Sequence, residues 1–165
     1  MKKIILLFTV ILLQTSFLYA QEETSDKVEH SITNDLNWIS SYDDAQKLAK
    51  EQNKQILIFF TGSDWCGLCK LLKKDFFSSD EFKAIAHDNL ILYKADFPRR
   101  TDIVSAEDKK VNEALDNKYS KSRSKRSFPT IVITNANGVE LGFIESYNFI
   151  HDTTNHFRLL KKSIQ

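Results

Sequence analysis

The residues of this 165-residue sequence best suited to redox chemistry are two cysteines, Cys66 and Cys69. They are the only cysteines in the chain, and two residues separate them. Residues three apart on a helix share a face, so the two sulfurs can meet and form a disulfide. In a first helical turn, unpaired N–H groups and the helix dipole favour a thiolate at Cys66. Cys66 is then a nucleophile, and the deeper Cys69 is placed to resolve a mixed disulfide.

Two other roles for the cysteine pair stay open at this point. A zinc site needs two further ligands, and the histidines show no paired zinc-finger spacing. A static structural disulfide is the second alternative, although closing a four-residue loop stabilises a fold little. We assign no role to the four histidines, which we expect at the surface or at helix ends: His30, His87, His151 and His156.

A buried strand followed by a helix is predicted to position the cysteines. Gln55–Thr61 is a continuous apolar run, which is typical of a strand buried on both faces. Residues 62–64 (Gly-Ser-Asp) interrupt the run. A helical pattern then starts at Cys66 and continues through Leu71, Leu72 and Phe76. Positive charge at residues 70, 73 and 74 supports a thiolate, whereas the adjacent Asp64 opposes it.

Serine caps and apolar periodicity predict the remaining helices. Ser41 with Asp44, and Ser105 with Asp108, resemble capping boxes. In the helix that follows Ser105, the residues predicted to face inward are Val111, Ala114 and Leu115. The predicted helices span about residues 42–53, 80–87, 106–119 and 153–164.

Three further strands are predicted, and their order defines the fold class. They cover residues 90–95, Thr130–Thr134 and 139–146, and the last two flank a hairpin turn at 135–138. Helices alternate with the earlier strands, which predicts a parallel part of a sheet. The hairpin adds an antiparallel edge. The sequence therefore predicts an α/β domain with a mixed sheet.

Four segments of the chain resemble the thioredoxin superfamily, in particular the exported bacterial thioredoxin-like proteins with a Gly-Ser-Asp-Trp-Cys-x-x-Cys site. The segments are ILIFF at 56–60, TGSDWCGLCK at 61–70, DFP at 96–98 and FPT at 128–130. The resemblance covers about residues 36–162. It implies a thioredoxin fold, with a central mixed sheet of parallel strands and an antiparallel C-terminal hairpin, flanked by helices. It also implies a thiol-disulfide oxidoreductase.

The resemblance also implies roles for individual residues. Cys66 is expected to attack and Cys69 to resolve, with a cis bond before Pro129. The backbone of Phe128 is then free to pair with an extended substrate segment. We expect Trp65 at the rim beside the sulfurs rather than as a half-buried structural aromatic.

The residues between and around these positions complete the expected substrate site. Gly67 and Leu68 lie between the cysteines and are expected to contact substrate with the rim. No metal or organic cofactor is implied beyond the redox-active cysteine pair. The implied partners are disulfide-containing exported proteins and an upstream dithiol that resets the pair. An oxidant or isomerase, and a non-catalytic peptide-binding module, are the alternatives.

Three features depart from the thioredoxin pattern. Many thioredoxins keep a buried acid in the strand before the motif, where this chain has Phe59 and Phe60. The dipeptide between the cysteines lacks both the proline of typical thioredoxins and the histidine of strong oxidants, so it does not indicate a redox potential. The segment 120–127 is longer and more basic than the usual connection, and we expect a solvated loop there.

Composition and the N-terminal residues indicate where such a protein works. Residues 1–20 combine a basic start, an apolar run at 4–13 and Ala20, which is typical of a secretory signal peptide cut after about Ala20. The run is about half the length that a spanning helix needs, so an uncleaved anchor is the weaker interpretation. Residues 21–35 read as a flexible leader, and 36–165 as the domain. A net charge of +1 argues against nucleic acid as a partner. We expect an exported, periplasmic monomer.

Overall fold

The computed structural model of the chain describes residues 36–121 and 126–164. The predicted signal peptide, the leader 21–35 and residues 122–125 of the basic segment lie outside these ranges. Within them, no helix combines the length and the apolar character needed to cross a membrane.

The described residues form a five-stranded sheet covered by helices. The strands are β1 (Trp38–Ile39), β2 (Gln55–Thr61), β3 (Leu90–Asp96), β4 (Thr130–Thr134) and β5 (Glu140–Glu145). The helices are α1 (Tyr42–Gln52), α2 (Gly67–Leu72), α3 (Asp80–Asn89), α4 (Ala106–Tyr119) and α5 (Thr154–Ser163). A π-helical turn, Lys73–Phe77, directly continues α2.

β2 lies at the centre of the sheet, whose strand order is β1-β3-β2-β4-β5. It runs parallel to β3 and antiparallel to β4, and β5 returns antiparallel to β4. The bounds predicted for β2 and β4 coincide with the observed ones. The predicted mixed sheet with its antiparallel C-terminal hairpin is confirmed.

Alternate residues of β2 face two separate apolar layers. Leu57 and Phe59 pack with both cysteines and with residues of α2, α3 and α5. Ile56, Ile58 and Phe60 pack on the opposite face against α1 and α4. Because both faces are covered, six of the seven β2 residues are buried, which explains the continuous apolar run.

Serine side chains begin three of the helices in the same way. The Oγ atoms of Ser41, Ser79 and Ser105 each accept a hydrogen bond from the N–H group three residues later. These bonds satisfy N–H groups that have no partner within the helix. Both predicted serine caps, at Ser41 and Ser105, are confirmed.

Several expectations about local structure were wrong. Ala114 is exposed, and Asn112 of the same helix is buried instead, because its amide pairs with polar groups of β3. The helix predicted from Cys66 begins one residue later, at Gly67, and changes to the π turn at Lys73. The sequence did not predict the strand β1. It has only two residues and is a strand because these pair with β3.

His156 lies at a helix end, as expected, in the first turn of α5. It is nevertheless buried, at 5% exposure, because it packs between the rings of Phe76 and Tyr147. This burial lowers the pKa of His156. His87 and His151 are exposed, as expected, and His30 lies outside the described residues.

Asn112 is the buried polar link between α4 and β3, and its loss should destabilise the domain. Its Oδ1 accepts from the Tyr93 hydroxyl at 2.7 Å, and its Nδ2 donates to the Asp96 carbonyl at 3.0 Å. Asn112→Ala leaves both partners buried and unsatisfied, so we expect a loss of about 2 kcal/mol in the free energy of unfolding in urea. Asn117→Ala, at an exposed position of the same helix, is the control and should change it by less than about 0.5 kcal/mol. Equal values for the two variants would contradict this role.

Candidate active site

Cys66 and Cys69 are joined in a disulfide at the start of α2. Cys66 is the N-cap residue, and its Sγ accepts a hydrogen bond from the N–H of Cys69 at 3.2 Å. The sulfur therefore occupies the place that a serine oxygen takes at the other capped helices. The helix dipole and the free N–H groups of the first turn face this sulfur, and they stabilise negative charge there.

A tight turn carries the chain from the end of β2 to Cys66. The carbonyl of Gly62 accepts from the N–H of Cys66 at 2.8 Å and from the N–H of Trp65 at 3.2 Å. A side chain at Gly62 has no room, because a Cβ there would overlap the indole of Trp65. The glycine is thus required for the close approach of the Trp65 ring to the turn.

The segment after β3 is bonded to this turn from the other side. The N–H of Phe97 donates to Thr61 at 2.8 Å, and the Trp65 Nε1–H donates to the Phe97 carbonyl at 2.8 Å. The buried carboxylate of Asp96 accepts from the N–H of Ser63 at 2.9 Å. These bonds hold the residues before Cys66 against the end of β3.

Asp64 adds a further bond to the same segment. Its carboxylate accepts from the backbone N–H groups of Arg99 and Arg100 at 3.0–3.1 Å. Desolvation acts to raise the pKa of Asp64, but the donors of Arg100 and Arg99 outweigh it and hold that pKa below its ordinary value. From the sequence we expect the Asp64 carboxylate to disfavour a thiolate at Cys66. In the structure this carboxylate is hydrogen-bonded to the loop after β3.

An aromatic surface lies beside the cysteines, with Trp65 at its exposed edge. Trp65 is 37% exposed, and Phe128 packs edge-on against it at 5.6 Å between ring centroids. Phe97 lies 5.5 Å from Phe128 on the other side. Phe128 precedes Pro129 through a cis peptide bond. Three loops, after β2, after β3 and before β4, thus meet at one surface.

The other predicted substrate residues have open surroundings. Gly67 is exposed, and apart from its chain neighbours and the backbone of its own helix no atoms lie within 4 Å of where a Cβ would be. Leu68 is half-buried. The Pro129 carbonyl accepts from the N–H of Ser146. Among the described residues, no hydrogen bond involves the main chain of Phe128.

The interior below the disulfide is aromatic. Of the two β2 residues considered for the buried acid, Phe59 faces the cysteine layer and Phe60 faces the opposite one. The ring of Phe59 packs against Phe77 at 4.8 Å. β2 therefore presents a phenyl ring, and no proton-exchanging group, to the side of the sheet that holds Cys69.

Sequence reasoning missed two contributors to this surface, Phe97 and Arg99. The DFP segment marked the position of Phe97, but the contact with Phe128 depends on the meeting of two loops. The described ranges contain no group of three or more His, Cys, Asp or Glu side chains suited to a metal ion. Both cysteine sulfurs are engaged with each other, so they are not zinc ligands in this state.

Comparison with known proteins assigns the fold and site to a family. A family model described as thioredoxin-like matches residues 37–136. The chain belongs to the thioredoxin-like family. Its CxxC cysteines are those of the family's thiol-disulfide oxidoreductases, and the resemblance inferred from the sequence is confirmed.

Two DsbH proteins are among the similar ones. The disulfide bond reductase DsbH of Chlamydia pneumoniae is 34% identical over 106 residues, which cover 64% of this chain and 60% of that protein. A solved DsbH oxidoreductase is 28% identical with a TM-score of 0.64, covering 87% of this chain and 96% of that chain. A thioredoxin from Thermus thermophilus shares the fold, with a TM-score of 0.53 at 15% identity, over 76% of this chain and 85% of that one.

The contact between Gly62 and Trp65 yields a test of the site geometry. Gly62→Ala must displace the indole and break its bond to the Phe97 carbonyl. In a Trp38→Phe background, we expect Trp65 emission to shift to longer wavelength as the ring becomes hydrated, with a loss of about 1–3 kcal/mol in stability. Gly67→Ala, where space is open, is the matched control and should leave the emission unchanged. Identical spectra for both variants would show that the Trp65 ring does not lie over Gly62.

Proposed function

We propose that this protein reduces disulfides of exported proteins, with Cys66 as the attacking thiol and Cys69 as the resolving thiol. The observation that carries the proposal is the Cys66 sulfur at the N-cap of α2, bonded to Cys69 and adjacent to the exposed Trp65. Both cysteines are buried in the disulfide state, and it is the N-cap position of Cys66 that distinguishes it from Cys69 within α2.

The reaction moves two electrons from the dithiol to the substrate. The Cys66 thiolate attacks one sulfur of the substrate disulfide, and the other substrate sulfur leaves as a thiolate that takes up a proton. Cys69, after losing its proton, then attacks the Cys66 sulfur of the mixed disulfide and releases the second substrate thiol. The protein is left with the Cys66–Cys69 disulfide. An upstream dithiol must reduce this bond before the next cycle.

The surroundings of the cysteines support an extended peptide as the substrate form. The main chain of Phe128, which has no hydrogen bond among the described residues, offers one donor and one acceptor to a strand laid beside it. The Trp65 ring borders the same region, packed against Phe128, and Gly67 and Leu68 at the start of α2 are the further residues proposed to contact substrate. A substrate held by its backbone in this way is accepted with many different side chains, which suits a reductase that acts on several proteins.

The reducing direction rests on the similarity to the C. pneumoniae protein named disulfide bond reductase. The export part rests on residues 1–20, whose basic start and apolar run fit a cleaved signal peptide. We therefore propose a periplasmic monomer with residues 21–35 as a leader and 36–165 as the working domain. Its redox cycle needs the dithiol pair alone, without metal or organic cofactor.

Trapping with cysteine variants tests the proposed roles. In Cys69→Ser the mixed disulfide cannot be resolved, so we expect Cys66-linked complexes to accumulate when the full chain is expressed in a Gram-negative bacterium. They should appear on non-reducing gels and disappear when a thiol is added. Mass spectrometry of the trapped protein should also give an N-terminus at Gln21 if the signal peptide is cut after Ala20.

Cys66→Ser is the matched control, because it keeps one thiol of the same motif but removes the one at the N-cap. It should trap at least about tenfold less, because Cys69 lies within α2, away from the N-cap position that favours a thiolate. Equal trapping by both variants would contradict the assignment of roles. No complexes with Cys69→Ser would instead favour the non-catalytic peptide-binding module.

A further inference from the structure

Arg99 carries a positive charge onto the surface beside the cysteines. Its guanidinium carbon lies 5.0 Å from the centroid of the Trp65 ring, in a cation–π contact. Trp65 directly precedes Cys66, and its ring is also fixed by the Nε1–H bond to Phe97. The position of the guanidinium is thus tied to the residue next to the proposed attacking sulfur.

In the part of the chain that the structure describes, the guanidinium of Arg99 differs from those of Arg100 and Arg126 because no carboxylate is bonded to it. Arg100 is ion-paired with Asp102, and Arg126, whose guanidinium lies over the Phe97 ring, is paired with Asp116 at 2.7 Å. Within 36–121 and 126–164, no side-chain hydrogen bond or ion pair involves the Arg99 guanidinium.

Asp64 is the acidic residue that is hydrogen-bonded to the Arg99 segment, but its carboxylate oxygens already have other partners. They accept the backbone N–H groups of Arg99 and Arg100 rather than the Arg99 side chain. Burial acts to raise the pKa of Asp64, and the backbone donors lower it; the attraction to the charge of Arg99 also lowers it but ranks after those donors. The five N–H donors of the exposed guanidinium remain available to a ligand.

We propose that Arg99 is a specificity-determining residue that binds a carboxylate of the substrate segment next to the disulfide. This inference rests on the proposed function and adds the substrate class, which is peptides with Asp or Glu near the reacting cysteine. A planar guanidinium held on an aromatic ring is pre-oriented, so little side-chain freedom is lost when it binds a carboxylate. The guanidinium lies over the ring of Trp65, the residue before Cys66, so an extended peptide that runs from Cys66 towards the loop after β3 would pass beside it.

Peptide disulfides of matched sequence test this selectivity. Each has one Glu, Gln or Lys placed one, two or three residues to either side of its cysteine, in an otherwise neutral sequence. The reduced wild-type protein is mixed with each peptide at low salt, and the reaction is followed by Trp emission. The time courses give the second-order rate constant for each peptide. In at least one position we expect Glu to react about threefold faster than Gln, and Lys slower, as for one partly exposed ion pair. The preference should shrink at 0.5 M salt.

Two variants of Arg99 and one of Arg100 distinguish a direct contact between Arg99 and the peptide carboxylate from an effect of the protein's net charge. Arg99→Gln should reduce the Glu/Gln rate ratio to about one, and Arg99→Glu should invert it in favour of Lys. Arg100→Gln removes the same charge from the next residue, whose guanidinium is paired with Asp102, and should keep the wild-type ratio.

The outcomes distinguish failure of the proposed role of Arg99 from failure of the proposed reductase function. Reduction of the Gln peptides without a preference for Glu, or a preference that survives Arg99→Glu, overturns the role of Arg99 and leaves the reductase intact. A ratio lost equally in Arg99→Gln and Arg100→Gln also overturns it, since the effect is then one of net charge. Failure of the wild-type protein to reduce any peptide overturns the proposed function itself.

Discussion

The backbone pairing of β2 between β3 and β4 is the constraint on which the functional site depends. Thr61, the last residue of β2, pairs with Asp96 at the end of β3, and Phe60 pairs with Thr130 at the start of β4. Because one neighbour is parallel and the other antiparallel, three chain segments reach the same edge of the sheet. They are the turn before Cys66, the loop that starts at Phe97 and the Phe128–Pro129 segment. Residues more than 60 positions apart in sequence, such as Trp65 and Phe128, thus meet beside the disulfide.

The local chemistry uses a general feature of helix ends for a redox purpose. Serines occupy the N-caps of α1, α3 and α4, and Cys66 occupies that of α2. A cap residue lies outside the helical hydrogen-bond pattern, so its side chain is exposed to the free N–H groups and to the positive end of the dipole. For a serine this stabilises a helix, whereas for a cysteine it also favours the thiolate. The aromatic layer under α2 keeps the pair in place but supplies no proton-exchanging group on β2, so proton transfer to and from Cys69 must use another route.

Much of this arrangement could be predicted from the sequence, because its signals are local. Gln55–Thr61 is apolar throughout since both faces of β2 are buried, and the caps at Ser41 and Ser105 identify helix starts directly. The missing parts depend on contacts between distant residues. Asn112 is buried because its amide meets polar groups of β3, which periodicity within α4 does not reveal. His156 is buried by Phe76 and Tyr147, and the Arg99–Trp65 contact needs the loops after β2 and β3 to meet. Apolar periodicity also cannot separate an α turn from the π turn that follows Leu72.

The reduction potential of the Cys66–Cys69 pair tests the central claim most directly, because it decides the direction of electron flow. The protein with Trp38→Phe is equilibrated in thiol buffers of defined potential, and Trp65 emission reports the oxidised fraction. A reductase should give a value near that of thioredoxin, about −270 mV. A value near about −120 mV, as in strong periplasmic oxidants, would contradict the claim and make the protein a disulfide donor.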